Sequence, residues 1–240
     1  MAGPFKLRDH QQKALAKMHN GCILCGGTGS GKSITGLAYY FIQNGGTLEP
    51  MTKMKNPKDL YIITTAKKRD SGEWIGVMSW FYLTPDDKSK IYDHKVVIDS
   101  WNNIKKYANV QDSFFIFDEQ RVVGYGAWTK AFLKIAKSNE WILLSATPGD
   151  NYMDYMPVFI ANGFYKNKSE FTAEHCIYSR FSKFPQIERF IGTERLNRLR
   201  RKVLVDMPYE KPAVQNHEDV WCSFDKEAYK DLMKNRFDYE

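Results

Sequence analysis

The segment GGTGSGKS at residues 26 to 33 constrains this chain more than any other stretch. It satisfies G-x-x-x-x-G-K-[ST] through Gly26, Gly31, Lys32 and Ser33. Glycines let successive backbone N–H groups turn inward around phosphate oxygens, and the N-terminus of the helix that follows adds positive potential. The pattern has force only between a buried strand and a helix, and both are legible here. Cys22 to Cys25 form a short apolar run before it. After it, Ile34, Leu37, Ala38, Phe41 and Ile42 recur at helical spacing until Gly45-Gly46. Lys32 is placed to reach the β and γ phosphates and Ser33 to ligate Mg²⁺, with Gly27, Thr28, Gly29, Ser30 and Gly31 forming the cradle. A nucleoside triphosphate and Mg²⁺ are the expected ligands.

Further short runs rich in β-branched or aromatic residues, Leu60 to Thr64, Val96 to Ile98, Phe114 to Phe117 and Ile142 to Leu144, read as buried strands. Helical patterns lie between them, among them Trp128, Ala131, Phe132, Ile135 and Ala136. This alternation predicts an α/β fold, with a mostly parallel sheet covered by helices on both faces. The run ending at Phe117 delivers Asp118 and Glu119 at its carboxyl end. Asp118 is expected to hold the metal, and Glu119 to orient and deprotonate an attacking water.

At this point the chain resembles the motor core of helicase superfamily two, and within it the Swi/Snf-like ATPases, including phage-borne relatives. The resemblance rests on motifs in order over residues 5 to 150. Leu7-Arg8-Asp9-His10-Gln11 resembles the Q motif, which implies that Gln11 reads adenine and that the nucleotide is ATP. GGTGSGKS corresponds to motif I and Thr64-Thr65-Ala66-Lys67 to motif Ia. Ile98-Asp99-Ser100-Trp101 lies near motif Ib. FDEQR at 117 to 121 corresponds to motif II, with Gln120-Arg121 in its last two places. Leu144-Ser145-Ala146-Thr147-Pro148 corresponds to motif III. The resemblance implies a RecA-like P-loop NTPase domain whose Ser145 and Thr147 hydroxyls link the nucleotide site to a nucleic-acid track. It also implies ATP-driven movement on, or remodelling of, DNA, single-stranded or duplex, with RNA not excluded.

Family motors use two RecA-like lobes, the second carrying an arginine finger worth roughly 10³ to 10⁵ in rate. Gln186 to Arg189 is the nearest approach to the motif bearing that finger, and it lacks the glycine and second arginine. The expectation is a first lobe completed in cis or in trans, binding ATP but hydrolysing it poorly alone. The expected organisation is an ATP-binding domain over 1–160, a basic, largely helical extension over 161–205, and an acidic connector toward a second lobe over 206–240.

The first 205 residues carry 30 basic and 19 acidic side chains, whereas the last 35 carry 5 and 9, so a polyanionic partner would meet the first part. Thr65, Lys67 and Lys68, then Ser100 and Trp101, are the candidate strand contacts, held through phosphates without regard to base sequence. Trp101 has two roles open, stacking on a base or packing in the core. The basic stripe Arg195, Arg198, Arg200, Arg201 and Lys202 either braces duplex DNA or forms a solvated face. Cys22 and Cys25 lack the further pair that a four-ligand zinc site requires and read as small buried hydrophobes. No apolar run approaches the roughly 18 residues of a membrane helix, and the expected setting is the cytoplasm, the host's if phage-encoded. Two rivals remain open at this stage. One is a P-loop ATPase or small-molecule kinase indifferent to nucleic acid. The other is a catalytically silent nucleic-acid clamp.

Overall fold

The computed structural model describes residues 6–85, 92–119, 125–180, 184–209 and 223–235. In chain order the first unit contains α1 (Asp9–Leu15), β1 (Ile23–Cys25), α2 (Lys32–Gln43), β2 (Thr47–Leu48), β3 (Met51–Thr52), β4 (Leu60–Thr64), α3 (Ala66–Asp70) and α4 (Glu73–Ser79). There follow β5 (Val96–Ser100), a 3-10 helix (Trp101–Tyr107), β6 (Phe114–Asp118), α5 (Ala127–Ala136), β7 (Glu140–Ser145), α6 (Tyr152–Ala161) and α7 (Lys168–His175). Strands β8 (Cys176–Tyr178) and β9 (Ile187–Phe190), helix α8 (Thr193–Val203) and strand β10 (Leu204–Asp206) complete it.

Six strands form one sheet in the order β10-β1-β7-β6-β4-β5, and every pairing in it is parallel. The apolar runs that predicted strands are continuous because both faces are covered, the condition under which strands lose polar alternation. Leu60, Ile62, Phe114 and Ile116 pack on one face, with Leu37 and Phe41 of α2 and Trp74 and Met78 of α4. Their neighbours Tyr61, Ile63, Phe115 and Phe117 pack on the other, with Ile104, Phe132 and Ile135, and with Tyr155 and Phe159 of α6. Parallel pairing brings all six carboxyl ends to one edge, and the loops that leave that edge carry the candidate site. None of the described helices is long and apolar enough to cross a membrane.

The segment after residue 161 adds strands to the expected, largely helical extension. It contains α7 and α8, but also the antiparallel pair β8 and β9 and the strand β10, which joins the main sheet beside β1. Chain contacts accordingly close the first compact unit at Tyr209, beyond the boundaries expected at 160 and 205, and a second unit follows from Glu210. Leu204-Val205-Asp206 is too short for a periodicity to announce it, and the pairing is supplied by an edge of β1 that local sequence does not display. The second unit contains α9 (Lys226–Asn235), where the rings of Phe224 and Tyr229 meet edge-on at 5.3 Å. Val220-Trp221-Cys222, within the expected connector, and Gln120-Arg121 of the motif at 117 to 121 lie outside the described residues.

Candidate nucleotide site

The loop at 26 to 33 leaves β1 and opens α2, as its pattern requires. Gly29 and Gly31 hold φ of +82° and +86°, the left-handed region where side chains are strained. A Cβ on Gly27 or Gly29 would meet nothing within 4 Å, so the loop borders open space. Thr28 is exposed there, whereas Ser30 is buried, and its Oγ has no hydrogen-bond partner among the described residues. The Lys32 ammonium folds back over the loop, donating to the carbonyls of Gly26 at 2.7 Å and Gly27 at 3.1 Å. Burial pushes its pKa below the ordinary lysine value. The Asp118 charge opposes that shift and the Lys68 charge adds to it, so the three groups share one electrostatic neighbourhood. Ser33 lies in the first turn of α2, half-buried.

Gln11, on α1, is buried against this loop. Its Oε1 accepts from the Arg8 backbone N–H at 2.8 Å and its Nε2 donates to the Ser30 carbonyl at 3.3 Å. The His10 ring nitrogen meets the same carbonyl at 2.9 Å. The amide expected to face adenine thus also fixes the height of the loop.

Asp118, at the end of β6, is 1% exposed and receives three donors on one oxygen. Thr64 Oγ1 donates to Oδ2 at 2.9 Å, Trp74 Nε1 at 3.2 Å and Lys68 Nζ at 2.7 Å. Its backbone carbonyl accepts from Trp101 Nε1 at 2.9 Å. Trp74 had no motif to mark it, and although Thr64 opens the motif Ia stretch, the role of both as donors to Asp118 emerges only when α4 and β4 are packed on β6. Glu119 follows with φ +54°, exposed at the sheet edge. A non-glycine residue held in that region is uncommon, and such residues cluster at functional turns.

Ser145, at the end of β7, stands between these two parts. Its carbonyl accepts from the Gly26 N–H at 3.2 Å and its Oγ from the Thr147 N–H at 3.1 Å. Thr147 itself is exposed. In the sheet, Cys25 pairs with Ser145 and Asp118 with Leu144, which puts loop and carboxylate two strands apart, about 10 Å across the edge.

The expected nucleic-acid contacts divide. Lys67 is exposed, and Thr65 caps α3 by accepting from the Lys68 N–H at 3.3 Å. Ser100 and Trp101 are corrected. Both are buried, Trp101 at 2%, with its ring stacked on Phe117 at 5.4 Å and on Trp128 at 6.2 Å. The indole forms part of the floor under Asp118 and presents no face to a base. Asp99 beside them is surrounded by donors. Burial alone would raise its pKa, but hydrogen bonds from Asn103, Tyr107, the Ser100 N–H and Arg69 hold it below the usual carboxylate value. Cys22 is buried, and desolvation pushes its thiol up to about 11, the chemistry of a small hydrophobe.

The residues present fit a Mg²⁺-bound triphosphate. The glycines open onto free space, a buried hydroxyl on the loop has no partner among the described residues, and Lys32, Ser33 and Asp118 lie on one sheet edge.

The architecture is a RecA-like α/β fold. The SWI2/SNF2 ATPase core of Sulfolobus solfataricus, solved with double-stranded DNA, superposes with a TM-score of 0.60 at 16% identity, over 85% of this chain and 45% of that one. The Hef helicase domain of Pyrococcus furiosus is matched with a TM-score of 0.44 at 20% identity, over 72% and 41%. The chain therefore spans less than half the length of either structure. No protein-family model matches the chain, and no curated protein does.

Proposed function

We propose that this chain is the ATP-binding lobe of an ATP-dependent nucleic-acid translocase or helicase acting on DNA. The observation that carries the reading is the meeting of the 26 to 33 loop, Ser145 and Asp118-Glu119 on one edge of a sheet with the fold of a SWI2/SNF2 core. The loop N–H groups and Lys32 bind and orient the phosphates, and Gln11, packed beside the loop, is assigned to adenine by its resemblance to the Q motif. Ser33 and Asp118 hold Mg²⁺, which when bound neutralises charge on the phosphates. Glu119 orients the attacking water and takes its proton. A second RecA-like lobe, in cis or in trans, supplies the remaining cation for phosphoryl transfer. Lys67 and the α3 start grip strand phosphates, and the Ser145–Gly26 bond ties the motif III strand to the loop.

A fluorescent ATP analogue tests the nucleotide half. Binding should be lost in Lys32→Ala and retained in Glu119→Gln, and retention in Lys32→Ala overturns the assignment. For the motor half, ATP hydrolysis is measured with the second lobe present, against single-stranded, duplex and branched DNA and RNA. Stimulation that collapses in Glu119→Gln supports a motor. Indifference to every nucleic acid overturns it and points to a P-loop enzyme of another kind.

A further inference from the structure

Three donors converge on Asp118 Oδ2, and they differ in kind. Thr64 is fully buried in β4 and Trp74 is 1% exposed in α4, so both are neutral donors fixed by the core. Lys68 is the charged donor. Its side chain is 20% exposed, its ammonium lies 5.6 Å from the centre of the Trp74 ring, and it rises from the short helix that also carries exposed Lys67. The lysine is thus anchored at the metal-binding carboxylate while its backbone belongs to the proposed nucleic-acid grip. A carboxylate that holds an ammonium at 2.7 Å has part of its charge already compensated, and a divalent cation that approached either of its oxygens would meet the repulsion of that ammonium.

We propose that Lys68 is a positioning residue that competes with Mg²⁺ for Asp118, so that arrival of Mg²⁺-nucleotide releases its ammonium to the nucleic-acid backbone beside Lys67. The inference rests on the nucleotide site proposed above and adds a link between the two ligands. Its direction follows from charge. The Lys68 ammonium would be repelled by Mg²⁺ held at Asp118 and would gain a phosphate partner on leaving, and by reciprocity nucleic acid that captured Lys68 would leave Asp118 more open to Mg²⁺. The neutral donors from Thr64 and Trp74 keep the carboxylate in place throughout.

The test uses two equilibrium readouts on the whole chain. First, a non-hydrolysable fluorescent ATP analogue is titrated with Mg²⁺. Lys68→Met should lower the Mg²⁺ midpoint by about 1.5-fold to fivefold, the range set by one partly exposed ion pair, beyond any change in nucleotide affinity measured in EDTA. Second, binding of a fluorescent 20-base-pair duplex is followed against salt. In the wild type, Mg²⁺-analogue should steepen the log K against log salt slope by about 0.9, one added phosphate contact. In Lys68→Met that steepening should vanish. Lys67→Met is the control. It should flatten the slope with or without nucleotide and leave the Mg²⁺ midpoint in place.

An unchanged or raised midpoint in Lys68→Met overturns the proposal, as does a slope change that survives the substitution. Analogue binding in EDTA weakened by more than about tenfold would overturn it too, identifying Lys68 as a direct phosphate ligand instead. Lys68→Gln, which keeps a donor for Asp118, must give the same directions, and thermal melts confirm that both variants fold. If the wild type fails to bind the analogue, the nucleotide site itself falls. If it binds and only the Lys68 effects are missing, the link alone falls.

Discussion

Gly31→Ala perturbs the point where α1 meets the phosphate loop, and its cost can be worked from two features. Gly31 has φ +86° and ψ 32° at the start of α2, a conformation that costs a residue with a Cβ roughly 1–2 kcal/mol. The new methyl would also lie 2.1 Å from Gln11 Nε2 and 3.3 Å from Ile34 Cγ2. The amide is the far end of a side chain and can move, but Gln11 is only 6% exposed, and moving it breaks its bonds to the Ser30 carbonyl and the Arg8 N–H. Two such bonds contribute about 0.5–1.5 kcal/mol each. The expected loss is therefore about 2–5 kcal/mol, on the order of 10 °C in Tm for a chain of this size. Urea unfolding followed by tryptophan fluorescence measures it. The same experiment on Gln11→Ala and on the double variant separates the two contributions. Once the amide is gone the methyl has room, so the double variant should be more stable than additivity predicts by about 1 kcal/mol or more. A Gly31→Ala variant within 0.5 kcal/mol of wild type, or strict additivity, would refute the packing of Gln11 on the loop.

Three other predictions concern separate parts of the molecule. His94 is 6% exposed, and neither ring nitrogen has a partner among the described residues. Burial holds its pKa below the ordinary 6.5. The unfolded chain then takes the proton first, so stability present above about pH 6.5 declines as pH falls toward the folded-state value. His94→Phe should flatten the decline between pH 7 and 5 in urea titrations, and an unaltered decline counts against the assignment. Trp101→Phe retains the stacked ring but leaves the Asp118 carbonyl without its indole donor, which should cost about 1–3 kcal/mol in denaturant; a neutral result would mean another donor satisfies that carbonyl. Val205→Asp places a carboxylate where the side chain is 4% exposed, next to Leu24 in the sheet. It should destabilise by about 3 kcal/mol or more and abolish hydrogen-exchange protection over residues 204 to 206, and retained protection would argue against β10 as a sheet strand.

Much of this architecture was legible because its strands are buried on both faces. Leu60 to Thr64 and Phe114 to Phe117 carry no polar alternation, and such runs, punctuated by helices, admit few arrangements. The loop at 26 to 33 was legible for a different reason, as phosphate chemistry dictates both its glycines and its lysine. What escaped depended on distant partners. Trp101 reads equally well as a surface stacker or a core residue until β6 lies beneath it and offers the Asp118 carbonyl. Lys68 reads as a surface cation until α3 brings it onto a buried carboxylate. Strand β10 is three residues long, and only the free edge of β1 makes it a strand.

That last strand has a mechanical consequence. β10 runs parallel to β1 over Leu204 to Asp206, and the Met207 N–H extends the ladder to the Cys25 carbonyl at 2.7 Å. The first compact unit ends two residues later, at Tyr209. Tension drawn along the chain from that end, against an anchor toward the amino end of β1, would load the β1–β10 bonds together, in shear, instead of peeling them one at a time. The strand that bears this load is the one that leads directly into Gly26.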